Sequence, residues 1–139
     1  MQLTISKKYM TYELSSKLVE VAIEHAKKLE VSVCVAIVDS SGDLMAFGKM
    51  DDACLIGIGT AQGKAYTAAR SGLNTREFIA YLDENKICVS ALQNESLTLI
   101  AGGLPIFHEN VLIGGIGIGG ATGKQDEECA QVALQKLLD

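Results

Sequence analysis

The chain has 139 residues, of which 48% are hydrophobic, and a formal net charge of −5. That length suits one domain with one substantial core, taken as residues 1–139, and leaves little room for a second. With its acidic balance and no basic cluster longer than the pairs Lys7-Lys8 and Lys27-Lys28, the chain lacks the basic stripe that neutralises phosphates, so nucleic acid is not an expected partner.

No apolar run approaches the roughly 18 residues of a membrane span. The opening MQLTISKKYM has no apolar segment of the kind a secretory signal needs, which predicts a cytoplasmic address. Cys34, Cys54, Cys88 and Cys129 form no CxxC or other metal-ligand spacing, and are expected to be reduced, mostly buried small hydrophobes.

Along the chain, Leu3 to Ile5 read as a short edge strand, and Ser6 as the cap of a helix running to about Leu29. At 100° per residue that helix gathers Met10, Leu14, Leu18, Val21, Ala22 and Leu29 into one stripe, with His25 near its centre. Val31 to Val38, the turn Asp39-Ser-Ser-Gly-Asp43 and Leu44 to Lys49 predict a hairpin. Residues 50–57 read as a loop, and 58–71 as a small-residue helix that Gly72 can end.

Asn74 or Thr75 can cap a short helix through Leu82, and Leu97 to Ala101 reads as strand. Leu104 to Phe107 and Val111 to Gly119 flank a turn. Thr122-x-x-Gln125 is a capping-box pattern opening a last helix to Leu138, with Asp126, Glu127 and Glu128 where the helix dipole favours acids. Strands joined by short turns must be antiparallel, so the fold class is α+β, in the form of a three-layer sandwich.

Eight of the fourteen glycines lie between Gly102 and Gly123. The two-residue strand period puts Gly115, Gly117 and Gly119 on one face of the last strand and Ile116 and Ile118 on the other. A strand face of bare backbone implies close approach by a helix, another subunit or a flat ligand, and the sequence leaves the three open.

The letters GxGxxG at Gly115 to Gly120 do not make a dinucleotide site, because no second parallel strand with an acid follows. Gly123-Lys124 lacks the earlier glycine and the following hydroxyl of a phosphate loop. Asp39 to Asp43 lacks the bidentate glutamate of a calcium loop. Among possible functional side chains, His108 sits in a turn, while His25 lies on an apolar stripe and must be hydrogen-bonded, act as a ligand or sit favourably near the helix C-terminus. Lys64, in the small-residue helix, must reach solvent, an acid or a ligand carboxylate.

Four segments in order, VAIVDSSGDLMAFGKMDDA, GKAYTAA, AGGLPI and GGIGIGGATGKQDEECA, resemble the GlcG-like family of small haem-binding proteins. That family includes HbpS-type proteins and the C-terminal domain of PduO-type cobalamin adenosyltransferases. The resemblance implies a profilin-like α/β/α sandwich with an antiparallel five-stranded sheet, and dimers assembled into rings, commonly octamers. It also implies haem or another tetrapyrrole bound near subunit contacts, and an accessory role in glycolate, glycerol or diol metabolism, without adenosyltransferase activity.

On this reading His25 is the axial ligand of haem iron, and Gly115, Gly117 and Gly119 form part of the pocket. Two other readings stand beside it. One is an enzyme acting on a small hydroxy acid or aldehyde through Lys64 with Asp126 or Glu127. The other is a ligand-free interaction module serving a cobalamin-dependent dehydratase.

Overall fold

The computed structural model describes residues 1–138. The elements follow in the order α1 (Tyr12–Lys28), β1 (Cys34–Asp39), β2 (Leu44–Lys49), α2 (Ile56–Ser71), α3 (Thr75–Glu84), β3 (Gly103–His108), β4 (Val111–Gly119) and α4 (Gly123–Leu138), with a short 3₁₀ turn at Val89–Leu92. The strands form one antiparallel sheet in the order β2-β1-β4-β3. The α+β class and the antiparallel sheet are as expected, but the described sheet has four strands and not five.

Neither candidate fifth strand forms. Among the described residues, Leu3 to Ile5 has no backbone pairing partner. Residues 97–101 lie across the outer surface of α2, where Thr67 Oγ1 accepts from the Thr98 backbone amide at 2.8 Å and Thr98 covers Gly63. An amide committed to a helix side chain is not available to a strand ladder.

α1 starts later than Ser6. Thr11 is its N-cap and accepts from the Leu14 amide at 3.1 Å. Its buried face is Ser15, Leu18, Val19, Ala22 and Ala26, so Val21 and Leu29 only border the core. The later capping signals act as expected. Asn74 caps α3, and Thr122 and Gln125 bond each other's backbone amides at 3.1 and 3.2 Å.

The two faces of β4 organise the layers. Ile116 and Ile118 join Val33, Val35 and Ile37 in a core roofed by α1 and α4. The opposite face, Gly115, Gly117 and Gly119, is buried under α2. On α2 the matching residues are Gly57, Ala61, Ala65 and Ala69, one per helical turn. Gly119 meets Gly57, Gly117 meets Ala61 and Ala65, and Gly115 meets Ala65 and Ala69. Small residues on both surfaces let helix backbone rest on strand backbone, so the occupant of the glycine face is a helix of the same chain.

The cysteines divide evenly and are all free: Cys34 and Cys129 are buried, Cys54 and Cys88 exposed. Burial, with Asp126 and Glu128 nearby, pushes the Cys129 thiol up to about 11, so it packs as an inert hydrophobe.

A β-carbon at Gly117 would run into the Ala61 carbonyl oxygen, whereas one at Gly59 meets nothing within 4 Å. Gly117→Ala is therefore expected to destabilise by at least about 1–3 kcal/mol, and Gly59→Ala to stabilise by about 0.5–1 kcal/mol. Urea denaturation of the two variants checks both signs.

Candidate ligand site

Lys64 projects from the sheet-facing side of α2, and its burial follows from the close approach of that helix. The ammonium donates to the Ile118 carbonyl at 2.7 Å and to Asp126 Oδ2 at 3.1 Å. The other carboxylate oxygen accepts from the Ala121 amide at 3.1 Å. Side-chain exposure is 3% for Lys64 and 2% for Asp126. Gly102, at φ +125°, lies over them, and a β-carbon there would crowd Lys64 Nζ and Asp126.

Of the options the sequence left to Lys64, the one realised is an acid. Glu127, the other acid named with it, turns outward and accepts from Arg76 at 2.7–2.8 Å. Lys64 and Asp126 thus fasten α2, the end of β4 and the start of α4 together, while Glu127 belongs to a surface pair.

Burial is the largest influence on Asp126 and raises its carboxyl above the ordinary value of 3.8, with Lys64 and the Ala121 amide acting in the opposite sense. A raised folded-state value means that the native protein binds the proton more tightly than the unfolded chain. Stability therefore falls as pH rises from the unfolded value through the folded one.

Lys64→Met removes the main lowering influence. It is expected to cost about 3–5 kcal/mol at about pH 7 and distinctly less near pH 4, where the carboxyl is protonated. Lys64→Met/Asp126→Leu is expected to recover much of the loss, because no buried charge remains. Denaturation curves at the two pH values measure both effects.

His25 lies between α1 and α4 with its side chain 18% exposed, and its Nε2 is 3.0 Å from Glu128 Oε1. An ionised carboxylate only accepts, so Nε2 carries the proton in this contact and has no lone pair for a metal. The structure brings His25 and Glu128 together, and does not bring His25 to the glycine face, which α2 already covers.

The sequence pattern places His108 in a turn. It ends β3 at a two-residue turn whose central residues, Glu109 and Asn110, have φ of 50° and 63°, as a tight hairpin requires. Its side chain is 54% exposed, and Glu109 Oε1, at 3.8 Å, is beyond hydrogen-bond reach. Beside it is a mainly apolar cavity of about 360 Å³ lined by Lys8, Tyr9, Met10, Thr11, Leu14, His108, Ile113 and Leu138. Lys8 bridges the rim to Glu109 at 2.6 Å. The sequence signal for this place is a histidine at a strand end before Glu-Asn, but the apolar wall opposite it comes from about a hundred residues away.

A free imidazole, an apolar wall and a cation at the rim are the groups that a flat, apolar, anionic metal complex would meet here. Comparison with known proteins assigns the family: residues 10–135 match the model described as haem degrading protein HbpS-like. The chain belongs to the HbpS-like family.

It is 34% identical over 124 residues to the corrinoid adenosyltransferase PduO of Salmonella typhimurium, covering 87% of this chain but only 37% of PduO. It is 30% identical over 113 residues to protein GlcG of Escherichia coli K12, covering 81% of this chain and 83% of GlcG. The structure is similar to that of a PduOC:haem complex, with a TM-score of 0.83 at 28% identity over 92% of this chain and 94% of that one. Among the described residues no helix is long and apolar enough to cross a membrane.

Proposed function

We propose that this HbpS-like protein binds haem, or a closely related tetrapyrrole, as a non-enzymatic cytoplasmic accessory. The ring lies in the cavity between Tyr9–Leu14 and the β3–β4 turn, with the iron on His108. The observation that carries this reading is the pairing of an unengaged imidazole with an apolar cavity in a chain of a haem-binding family. The volume falls within the roughly 300–1,000 Å³ of ligand pockets. Its open mouth leaves part of a porphyrin for a second subunit to cover, in keeping with a dimer-based oligomer such as an octamer.

The chemistry of the wall fits. Met10, Leu14, Ile113 and Leu138 offer apolar contact to a ring face, and Lys8 can exchange Glu109 for a propionate. When bound, the iron supplies a Lewis-acid and redox centre. The chain's part is to hold the imidazole at the end of a tight hairpin and to exclude water from one face. His25 is the alternative ligand, available only if its contact with Glu128 opens. Kinship with a corrinoid adenosyltransferase supports an accessory role beside corrinoid chemistry, and the family resemblance extends that role to diol, glycerol or glycolate metabolism.

Titration of the purified protein with hemin, followed at the Soret band, tests the assignment. Saturable binding is expected for wild type and His25→Ala, and a weakened, blue-shifted band for His108→Ala. Loss with His25→Ala alone would move the iron to α1, and non-saturating binding by the wild type would remove haem from the reading.

A further inference from the structure

We propose that residues 2–6 act as an exchanged strand, adding to the free edge of β2 in a second copy of this chain. The segment before α1 is the most exposed apolar stretch of the molecule. Leu3 and Ile5 are 79% and 72% exposed, and among the described residues no backbone hydrogen bond joins Gln2–Tyr9 to the rest of the chain. It also lies outside residues 10–135, the part that matches the family. Its alternation of Leu3 and Ile5 with Gln2, Thr4 and Ser6 is the pattern of a strand with one apolar face.

The sheet offers two edges, and only one can accept such a strand. On β3, the Ile118 amide bonds the Gly102 carbonyl, so Leu104 and Ile106 face β4 while Gly103, Pro105 and Phe107 face outward. The outward Gly103 amide is already taken by Thr75 Oγ1, and Pro105 has no amide to give. On β2, the Met50 amide bonds the Val33 carbonyl, which turns Gly48 and Ala46 toward β1 and leaves Phe47 and Lys49 with outward amides and carbonyls, up to the break in register at Met45. No proline interrupts that edge. Phe47 packs beside the core under α2, so an added strand with Leu3 and Ile5 on that side extends an existing apolar layer.

Charge selects the occupant. β2 is preceded by Asp43 and followed by Asp51 and Asp52, and the Lys49 ammonium is held by the carbonyls of Met50 and Asp51. Two β2 strands paired antiparallel across a two-fold axis would bring Asp43 of one near Asp51 and Asp52 of the other, which is repulsive. The N-terminal segment has no acid before Glu13, and its Lys7 adds a cation at the end of the added strand. Its root, at Ser6 to Lys8, passes Ser40 in the β1–β2 turn and so leaves the molecule next to the sheet.

The test compares solution mass by sedimentation for wild type, a deletion of residues 2–6, Leu3→Glu/Ile5→Glu and Lys49→Pro. The last removes one outward amide and no amide that bonds β1. Each variant is expected to have half the wild-type mass or less with an unchanged far-UV spectrum, and combining the deletion with Lys49→Pro should add nothing. The deleted protein should bind the peptide MQLTISKKY, weakly at high salt, and lose it on Lys49→Pro. Unchanged mass in the deletion variant would overturn the proposal, as would peptide binding that ignores Lys49→Pro. A monomeric wild type whose deleted form still binds the peptide would place the strand on its own β2 and also overturn exchange between copies. Hemin titration of the wild type tests the haem reading separately: halved mass in the variants with no saturable hemin binding by the wild type overturns that reading alone, and saturable binding with unchanged mass in the deletion variant overturns the exchange alone.

Discussion

Contact between the backbone of α2 and the backbone of β4 sets the rest of the molecule. Gly115, Gly117 and Gly119 remove side chains from the strand, and Gly57, Ala61, Ala65 and Ala69 nearly remove them from the helix, so the two elements meet without a side-chain layer between them. Glycine in a strand costs conformational entropy and forgoes burial. The fold offsets that cost with the opposite face of β4, where Ile116 and Ile118 lie fully buried under α1 and α4. One strand thus supplies a thin joint on one side and a thick apolar core on the other.

The thin joint explains the buried charge. At ordinary helix-to-sheet spacing a lysine on the inner side of α2 would have to cross a hydrophobic layer. Here Lys64 reaches the Ile118 carbonyl and Asp126 directly. An ion pair of this kind is weak as a source of net stability, but removing one partner is costly, so it fixes the placement of α4 relative to β4. The same joint closes the glycine surface to any flat ligand. The proposed ligand cavity lies instead at the rim of the α1 and α4 layer, where the β3–β4 turn, the root of the N-terminal segment and Leu138 leave space.

The parts legible in the sequence are those governed by near neighbours. The β1–β2 hairpin, the α4 capping box, the Asn74 cap and the two-faced β4 all follow from spacing within a few residues. Ser6 and Thr11 both satisfy the local cap rule, and the structure starts α1 at Thr11, beside the buried Met10 that packs near Gly114. The expected fifth strand failed for a similar reason: Thr98 looks like a strand residue until Thr67 takes its amide. At the site, the need of Lys64 for a partner is legible in its helix and is met by Asp126, whereas the apolar surroundings of His108 come from Tyr9 to Leu14, far away in sequence, so local spacing marks it only as a turn residue.

The central claim is that the α2–β4 joint stays shut while a tetrapyrrole binds at the rim. Amide hydrogen exchange on the protein with and without hemin tests it most directly. The account predicts slower exchange at Met10–Leu14 and at Phe107–Ile113, with α2 and Gly115–Gly119 unchanged. Faster exchange along α2 on loading, or protection centred on His25 and Glu128, would contradict it.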